Sequence, residues 1–412
     1  MHPLLGQTLR WAAREVPFYA RRLKGARTLE QVPFLSKDEA VKHQEQLLAR
    51  SAPRAFTGVV SSGTTVRSRP LRVPRTEAEL EAAEGVSFVP AGRLVLEVRA
   101  VHHGLSHLAP RPDWLRVPWT YSANAFRLVE DLLANPQPDG RRVSDLLINA
   151  GALMPLCVAL EERGVDPRSF GLRAISTTSF RLSPHWKQHV ERTWRARVWD
   201  NYSLSEIPTP ALECPECGFN HWLSPPVVAE VVDVRTKKPL RKGVGVLVVT
   251  TLYPYVQAMP LLRYWTGDLV EVGPRCVAAP EPGIRFRGRL GQSLVKGSQV
   301  LVAAQDAIDF LEGEPLVARH LHPVETLGLI PESGCGGVKL ELDWVKAQPR
   351  VRVELAFDPR AYPAEAESIG ERLGEHLLQV SPALKRYEKG GRGVLTIELV
   401  GPGTLKKAWS KL

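Results

Sequence analysis

A chain of 412 residues, 44% hydrophobic and 24% charged, is long enough for two or three domains and has the balance of an ordinary globular protein. It has no apolar run near the roughly 20 residues that span a bilayer, no charged start and apolar block of a signal peptide, and with five cysteines no disulfide framework; a cytoplasmic protein without a membrane partner is expected. The net charge of +10 is carried by scattered Lys and Arg with no RNA- or DNA-reading motif, which argues against a nucleic-acid partner and leaves a solvated face and nucleotide-type polyanions.

Residues 1–45 read as helices: apolar positions recur at helical spacing in LLGQTLRWAAREVPFYARRL, and LSKDEAVKHQEQLLA follows Pro33 with Ser36 as its cap. AFTGVVSSGTTVRSRPLRV reads as two short strands around a Gly/Ser/Thr turn, and EAELEAAEGVSFV as a helix. LVLEVRAV is a buried strand ending at HHGLSH. The helices FRLVEDLLAN and ALMPLCVALEERG enclose a strand, DLLINA; LRAIST is a strand, HWKQHVERTWRA a helix and ARVWDNYS a strand. This alternation predicts an α/β domain of mixed sheets with helices on both faces. From VVAEVVDV to GDLVEV successive strands, with turns at Lys237-Lys238 and Gly243, predict an antiparallel β unit. Beyond GRLGQS, strands (VRVELAF, GVLTIELV) alternate with helices (DAIDFLEG, AESIGERLGEHLLQ), an α+β pattern. The expected division is a large domain of residues 1–288 and a small one of residues 289–412.

Three motifs carry chemistry. In VVSSGTTVRSRP, Ser61, Ser62, Gly63, Thr64 and Thr65 can aim hydroxyls and backbone N–H groups at a phosphate chain, although no Gly-Lys-Ser/Thr follows and a plain hairpin turn uses the same residues. In YSLSE, Tyr202 at a strand end can stack on a base and Glu206 can hold magnesium; a solvated loop glutamate is the plainer reading. In PLLRYWTGDLVEV, Asp268 after Thr266-Gly267 can accept hydrogen bonds from a ribose diol or cap a tight turn. Arg289 and Lys296 in RFRGRLGQSLVKGSQ are phosphate or ribose contacts, or part of a linker. Cys214 and Cys217 have zinc-ligand spacing with His221 within reach, and Cys276 is the candidate fourth ligand. Two buried apolar cysteines would be the simpler account. Cys157 reads as core and Cys335 as a loop thiol.

The order of these motifs resembles the adenylate-forming superfamily, and more closely its phenylacetate–CoA ligase branch. The matching segments are VPFYARRL with LEQVPFLSKDEA, SSGTT, DNYSLSEI, LEC followed by a histidine, VLVVTTLYPYVQAMPLLRYWTGDL and GRLGQSLVKGSQV. The resemblance implies a nucleotide-binding domain and a small mobile carboxy-terminal domain. It also implies ATP-dependent activation of an aryl or acyl carboxylic acid to an acyl-adenylate, then transfer to a thiol, coenzyme A first. Carried across, residues 61–65 line the phosphates, Tyr202 and Ser205 belong to the adenine loop, Glu206 binds magnesium, Asp268 holds the ribose and Arg289 supports it. Lys407, with Lys406 beside it, matches the late lysine that meets charge building on the α-phosphate. Cys214, Cys217, His221 and Cys276 match a structural zinc clip. The sequence departs from the pattern at Val66, Arg67 and Ser68, at Ser203, and at Gly291 and Gln292 in the hinge. These departures keep open an amine or a carrier-protein thiol as acceptor, and a ligase-like scaffold without turnover. His102, His103 or His107 would orient the acid, or lie at the surface. A homodimer is the default assembly.

Overall fold

The computed structural model describes residues 2–52, 57–60, 71–76, 79, 92–100, 112–119, 123–179, 181–222, 227–277, 279, 281–319 and 337–405. Ser61 to Thr65, the three histidines of HHGLSH, Cys335, Lys406 and Lys407 lie outside these residues, as does most of the helix expected at EAELEAAEGVSFV.

Residues 1–45 are helical in shorter pieces than expected: Leu5–Glu15, Pro17–Arg22 and Lys37–Lys42. Ser36 caps the last, its hydroxyl accepting from the Glu39 N–H. The break between the second and third is structural. Leu35–Ser36 is extended and pairs in parallel with Tyr264 and Trp265 of a distant strand, so the amino terminus is sewn into the β unit.

The α/β pattern becomes a five-stranded, wholly parallel sheet, in the order Trp114–Trp119, Leu94–Ala100, Val143–Asn149, Ala174–Thr178, Arg197–Asp200. Helices Ala123–Ala134, Ala150–Glu162 and Pro184–Trp194 contribute to its core, which includes Leu96, Leu146, Ile148, Leu153, Ile175 and Trp194. Buried Val95 and Glu97 show that the other face of the second strand is covered as well. The Trp114–Trp119 strand has no counterpart in the sequence reading. It contains Pro118, which a strand tolerates at a sheet edge, where a missing N–H breaks no ladder, and the edge is where this strand lies.

The expected antiparallel unit is a seven-stranded sheet built on Val227–Val232, Gly243–Thr251, Tyr264–Val272 and Ile284–Arg289, extended by the short strands Asn220–His221 and Leu212–Glu213 and joined by Leu35–Ser36. Its core takes in the amino-terminal helices through Leu9, Trp11 and Tyr19. A further core is formed only by residues from Leu294 onward, among them Leu301, Val351, Leu373 and Tyr387. There a three-stranded sheet of Leu340–Val345, Gln348–Glu354 and Thr396–Val400 packs with helices Ala304–Leu311, Pro363–Val380 and Pro382–Lys389. This region meets the rest of the chain through ion pairs, Arg181 to Asp309 at 3.0 Å and Arg287 to Asp306 at 2.7 Å. Gly288 lies at the same junction with φ +123°, and a Cβ there would come 3.2 Å from the backbone nitrogens of Ala304 and Gln305. Among the described residues no helix is long and apolar enough to cross a membrane.

Candidate functional site

The Arg197–Asp200 strand runs into Asn201 and Tyr202, and the chain closes on itself where Tyr202 and Ala211 exchange backbone hydrogen bonds of 2.9 and 2.8 Å. Ser205 and Glu206 are carried by the loop so formed. The neighbouring wall is the Tyr264–Val272 strand. Its Thr266-Gly267-Asp268 step, expected as a tight turn, is instead a bulge within a continuous strand: Trp265 faces Val248 and Leu269 faces Val246, so residues 266–268 stand opposite Leu247 alone. Gly267 takes φ +76°, a conformation that costs glycine little. The Asp268 N–H donates to Thr266 Oγ1 at 3.0 Å, and that hydroxyl donates to the Leu247 carbonyl at 2.8 Å. The bulge turns the Asp268 carboxylate towards Tyr202.

There the two segments meet. The Tyr202 hydroxyl donates to Asp268 Oδ2 at 2.7 Å, and the Tyr264 hydroxyl donates to Glu206 Oε1 at 3.0 Å. Arg289, the cross-strand partner of Asp268, brings Nε to 3.5 Å from Oδ1. Asp268 is only 2% exposed. Burial pushes its carboxyl above the usual range, with Arg289 and the Tyr202 hydroxyl pulling it back and the Glu206 charge adding to the rise. Both phenols are pushed well above their ordinary values, first by burial and then by the carboxylate each one faces. Asp268 Oδ1 is buried with no hydrogen-bond partner among the described residues, and an acceptor in that state is one that a ligand hydroxyl would satisfy. The Tyr202 ring, expected against a base, is itself largely buried: it stacks on Phe286 at 6.1 Å and meets the edge of Trp222 at 6.0 Å.

Two cations that the sequence reading passed over complete the cluster. Lys37 Nζ is 3.4 Å from Glu206 Oε1. Arg75, wholly buried, donates from Nη2 to the Ser205 carbonyl at 3.3 Å, and burial pushes its pKa down to about 10 against the pull of Glu79 and Glu206. Glu206 is a hard oxygen donor of the kind magnesium takes, and both of its contacts among the described residues fall on Oε1. Lys296, expected near phosphate or ribose, instead lies against the carboxy-terminal core, donating to the Tyr387 hydroxyl at 3.1 Å with its charge over the Trp344 and Tyr387 rings.

Beside this cluster, the short strands Leu212–Glu213 and Asn220–His221 form a knuckle. The Cys214 N–H bonds to the Phe219 carbonyl, and the Gly218 N–H to the Cys214 carbonyl. Gly218 turns the chain with φ +66°. Cys214, Cys217, His221 and Cys276 bring their ligand atoms within 4.8 Å of one another. Cys214 Sγ lies 3.6 Å from Cys276 Sγ, and Cys217 Sγ 3.2 Å from His221 Nε2. A tetrahedral zinc with its usual thiolate bonds separates two sulfurs by about 3.8 Å. Burial opposes ionisation of Cys214, yet the Cys217 and Glu216 backbone N–H groups and the neighbouring thiols bring it below its ordinary value. Burial also lowers His221, favouring the neutral ring that a metal needs, and its Nδ1 is 3.2 Å from the Glu281 carbonyl, the outer-shell bond that orients a ligating imidazole. The donor set fits zinc, and all four positions of a tetrahedron are filled by protein.

Asp200 ties the knuckle to the parallel sheet. Its backbone N–H donates to Glu213 at 2.7 Å, its carbonyl accepts from Asn220, and its carboxyl accepts from Thr177 at 2.9 Å and from the Leu182 N–H at 3.3 Å. Burial raises that carboxyl to about 7. The folded pKa lies above the unfolded value near 3.9, so the stability due to this group is fully present below about pH 4 and is lost as pH rises towards 7. Asp200→Asn mimics the neutral acid. Compared by urea unfolding at pH 4.5 and 8, the variant is expected to lose about 2–4 kcal/mol less than the parent on going to the higher pH. An unchanged difference would mean that the carboxyl stays ionised throughout.

No family model matches the chain. Among curated proteins it is similar to a phenylacetate-coenzyme A ligase of Thermus thermophilus, 32% identical over 162 residues that make up 37% of this chain and 36% of that protein. It is also similar to a phenylacetate-coenzyme A ligase of Aromatoleum evansii, 28% identical over 163 residues, 36% of this chain and 34% of that one. The match thus spans about a third of the length of these relatives. Among solved structures, a 2-hydroxyisobutyryl-CoA ligase in the postadenylation state, in complex with R3-HIB-AMP, superposes with TM-score 0.63 at 15% identity, covering 98% of this chain and 85% of that one. A benzoate CoA ligase from Burkholderia xenovorans LB400 superposes with TM-score 0.53 at 13% identity, covering 87% and 68%. At such identities the likeness is one of fold. The fold is that of the adenylate-forming CoA ligases. In sequence, over the matched third, the chain resembles the phenylacetate–CoA ligases that its motifs had pointed to.

Proposed function

We propose that the protein activates an aryl or acyl carboxylic acid with ATP, forming an acyl-adenylate and pyrophosphate, and passes the acyl group to the thiol of coenzyme A. The observation that carries this reading is the convergence of Tyr202, Glu206, Asp268 and Arg289 in one buried cluster, with Asp268 Oδ1 left as an unmatched acceptor. On this reading Asp268 receives the ribose hydroxyls beside Arg289 and Glu206 holds the magnesium of the nucleotide. The Ser61 to Thr65 turn lines the phosphates, and Lys407, with Lys406 as its neighbour, meets the charge that builds as the α-phosphate changes partners. Residues 289–412 act as the lid over a nucleotide domain of residues 1–288. Cys214, Cys217, His221 and Cys276 hold a structural zinc that fixes the segment following the Glu206 loop. The relatives carrying CoA in their names support coenzyme A over an amine or a carrier protein as acceptor.

The test is pyrophosphate exchange into ATP with a panel of aromatic and aliphatic acids. One acid should support exchange, Asp268→Asn and Lys407→Ala should each lower the rate on the order of 100-fold, and coenzyme A should then draw the acyl group into a thioester. A folded protein that exchanges with no acid would overturn the proposal.

A further inference from the structure

Lys37 owes its place to the pairing of Leu35–Ser36 with Tyr264 and Trp265, which sets the start of the following helix against the Glu206 loop. The Lys37 side chain is 13% exposed and the Glu206 side chain 7%. Its charge also acts on Asp268. Two carboxylates in one buried cluster repel each other and are costly to hold without countercharge. Tyr264 gives Glu206 a hydrogen bond but no charge. The neighbouring cation is of a different kind: Arg75 is anchored to the Ser205 carbonyl, and among the described residues its Nη1 has no hydrogen-bond partner and lies 4.0 Å from Glu79 Oε2. Among the described residues Lys37 brings the one positive charge within 4 Å of the Glu206 carboxylate, on the Oε1 that also takes the Tyr264 hydroxyl, and it does so from a flexible stem.

We propose that Lys37 is a positioning residue for the metal site, its ammonium holding the Glu206 carboxylate oriented and charge-balanced until the divalent cation of the nucleotide takes over as its counter-ion. The inference rests on the adenylation reading of the site. A magnesium–oxygen bond is about 2.0–2.1 Å, so a metal on either oxygen of Glu206 and an ammonium still in contact with Oε1 would lie close enough to repel. A metal there would therefore loosen the hold of Lys37 on Glu206, while Arg75 would remain as the fixed countercharge. The arrangement raises the magnesium concentration that the site requires and keeps Glu206 paired when no nucleotide is bound.

The experiment is a thermal-shift titration of the whole chain with magnesium at fixed ATP, alongside melting without ligand. Lys37→Met should melt lower than the parent without ligand, yet reach its half-maximal ATP-dependent shift at about ten-fold less magnesium, since one positive charge beside the metal is gone. Lys37→Gln, which is neutral but can still donate to Glu206, should show the same magnesium shift with a milder loss of melting temperature, and serves if the methionine variant does not fold. Lys37→Arg should keep the parent's behaviour. Glu206→Gln is the reference and should lose the magnesium response. If that response survives in Glu206→Gln, the metal reading of the site fails and this inference with it. If Glu206→Gln loses the response but both neutral Lys37 variants keep the parent's half-saturation point, or need more magnesium, Lys37 does not give way to the metal; the inference alone is then overturned.

Discussion

Cys276→Ser is expected to reduce bound zinc from one per chain to nearly none and to destabilise the fold by more than about 4 kcal/mol, the range reached when a metal or a buried network is lost. The four ligands come from two places: Cys214, Cys217 and His221 sit on one knuckle, whereas Cys276 follows the Tyr264–Val272 strand that carries Asp268. A metal between them would therefore fasten the end of the Tyr202–Ala211 loop segment to the strand opposite, and its binding free energy would become folding free energy. A second variant leaves every ligand intact. Gly283 lies so close to the imidazole that a Cβ there would be 2.6 Å from His221 Nε2, and equally close to Phe219 Cβ. Gly283→Ala should therefore displace the metal as well. Zinc is measured by atomic emission on the purified protein, and stability by urea unfolding with and without chelator. Unchanged unfolding in chelator, with no metal in the purified parent, would reduce the cluster to three thiols and a histidine packed together.

Three members of the Cys/His cluster were legible because their signal is local, a Cys-x-x-Cys step and a histidine four residues on, whereas Cys276 comes from the far side of the Asp268 strand. Asp268 and Glu206 were legible from motif order, but what surrounds them was not. Lys37 lies in LSKDEA, which reads as the first turn of a solvated helix. Nothing in that stretch announces that the two residues before it will pair with a strand more than two hundred positions away. Arg75 lies just past the strand read at PLRV and was passed over, yet it is 2% exposed, and such burial depends on where Ser205 and Glu79 come to lie. The bulge at Thr266-Gly267-Asp268 was taken for a turn, since Thr-Gly-Asp has the same composition in either and only the register of the facing strand separates them. For the sheets, period and β-branched runs sufficed even for edge strands such as Arg197–Asp200 and Val227–Val232, and failed at WLRVPW, which with Pro118 and Arg116 lacks the apolar continuity of its neighbour LVLEVRA.

Arg263→Met should cost about 3–5 kcal/mol in urea unfolding, the penalty for removing one member of a buried ion pair and leaving the other uncompensated. Arg263 is 5% exposed. Its guanidinium donates to both Glu230 oxygens at 3.1 and 3.2 Å, lies 4.0 Å over the Phe34 ring, and reaches the carbonyls of Glu30 and Val32 at 3.3 and 3.0 Å. Burial already raises the Glu230 carboxyl above its usual range, with Arg263 as the main opposing influence. The double variant Arg263→Met/Glu230→Leu removes the stranded acid and should recover most of the loss, which distinguishes a charge effect from a packing one. Recovery of stability need not restore the site. The guanidinium is also the clasp that holds the Glu30–Val32 segment to the β unit, immediately before the Leu35–Ser36 pairing that positions Lys37. The double variant should fold almost as firmly as the parent, yet with the guanidinium gone those two carbonyls still lose their donor and the segment is less firmly held. This variant should still show the altered magnesium dependence expected of a displaced Lys37. A double variant with the parent's magnesium response would mean that the two-residue strand alone sets the position of that ammonium.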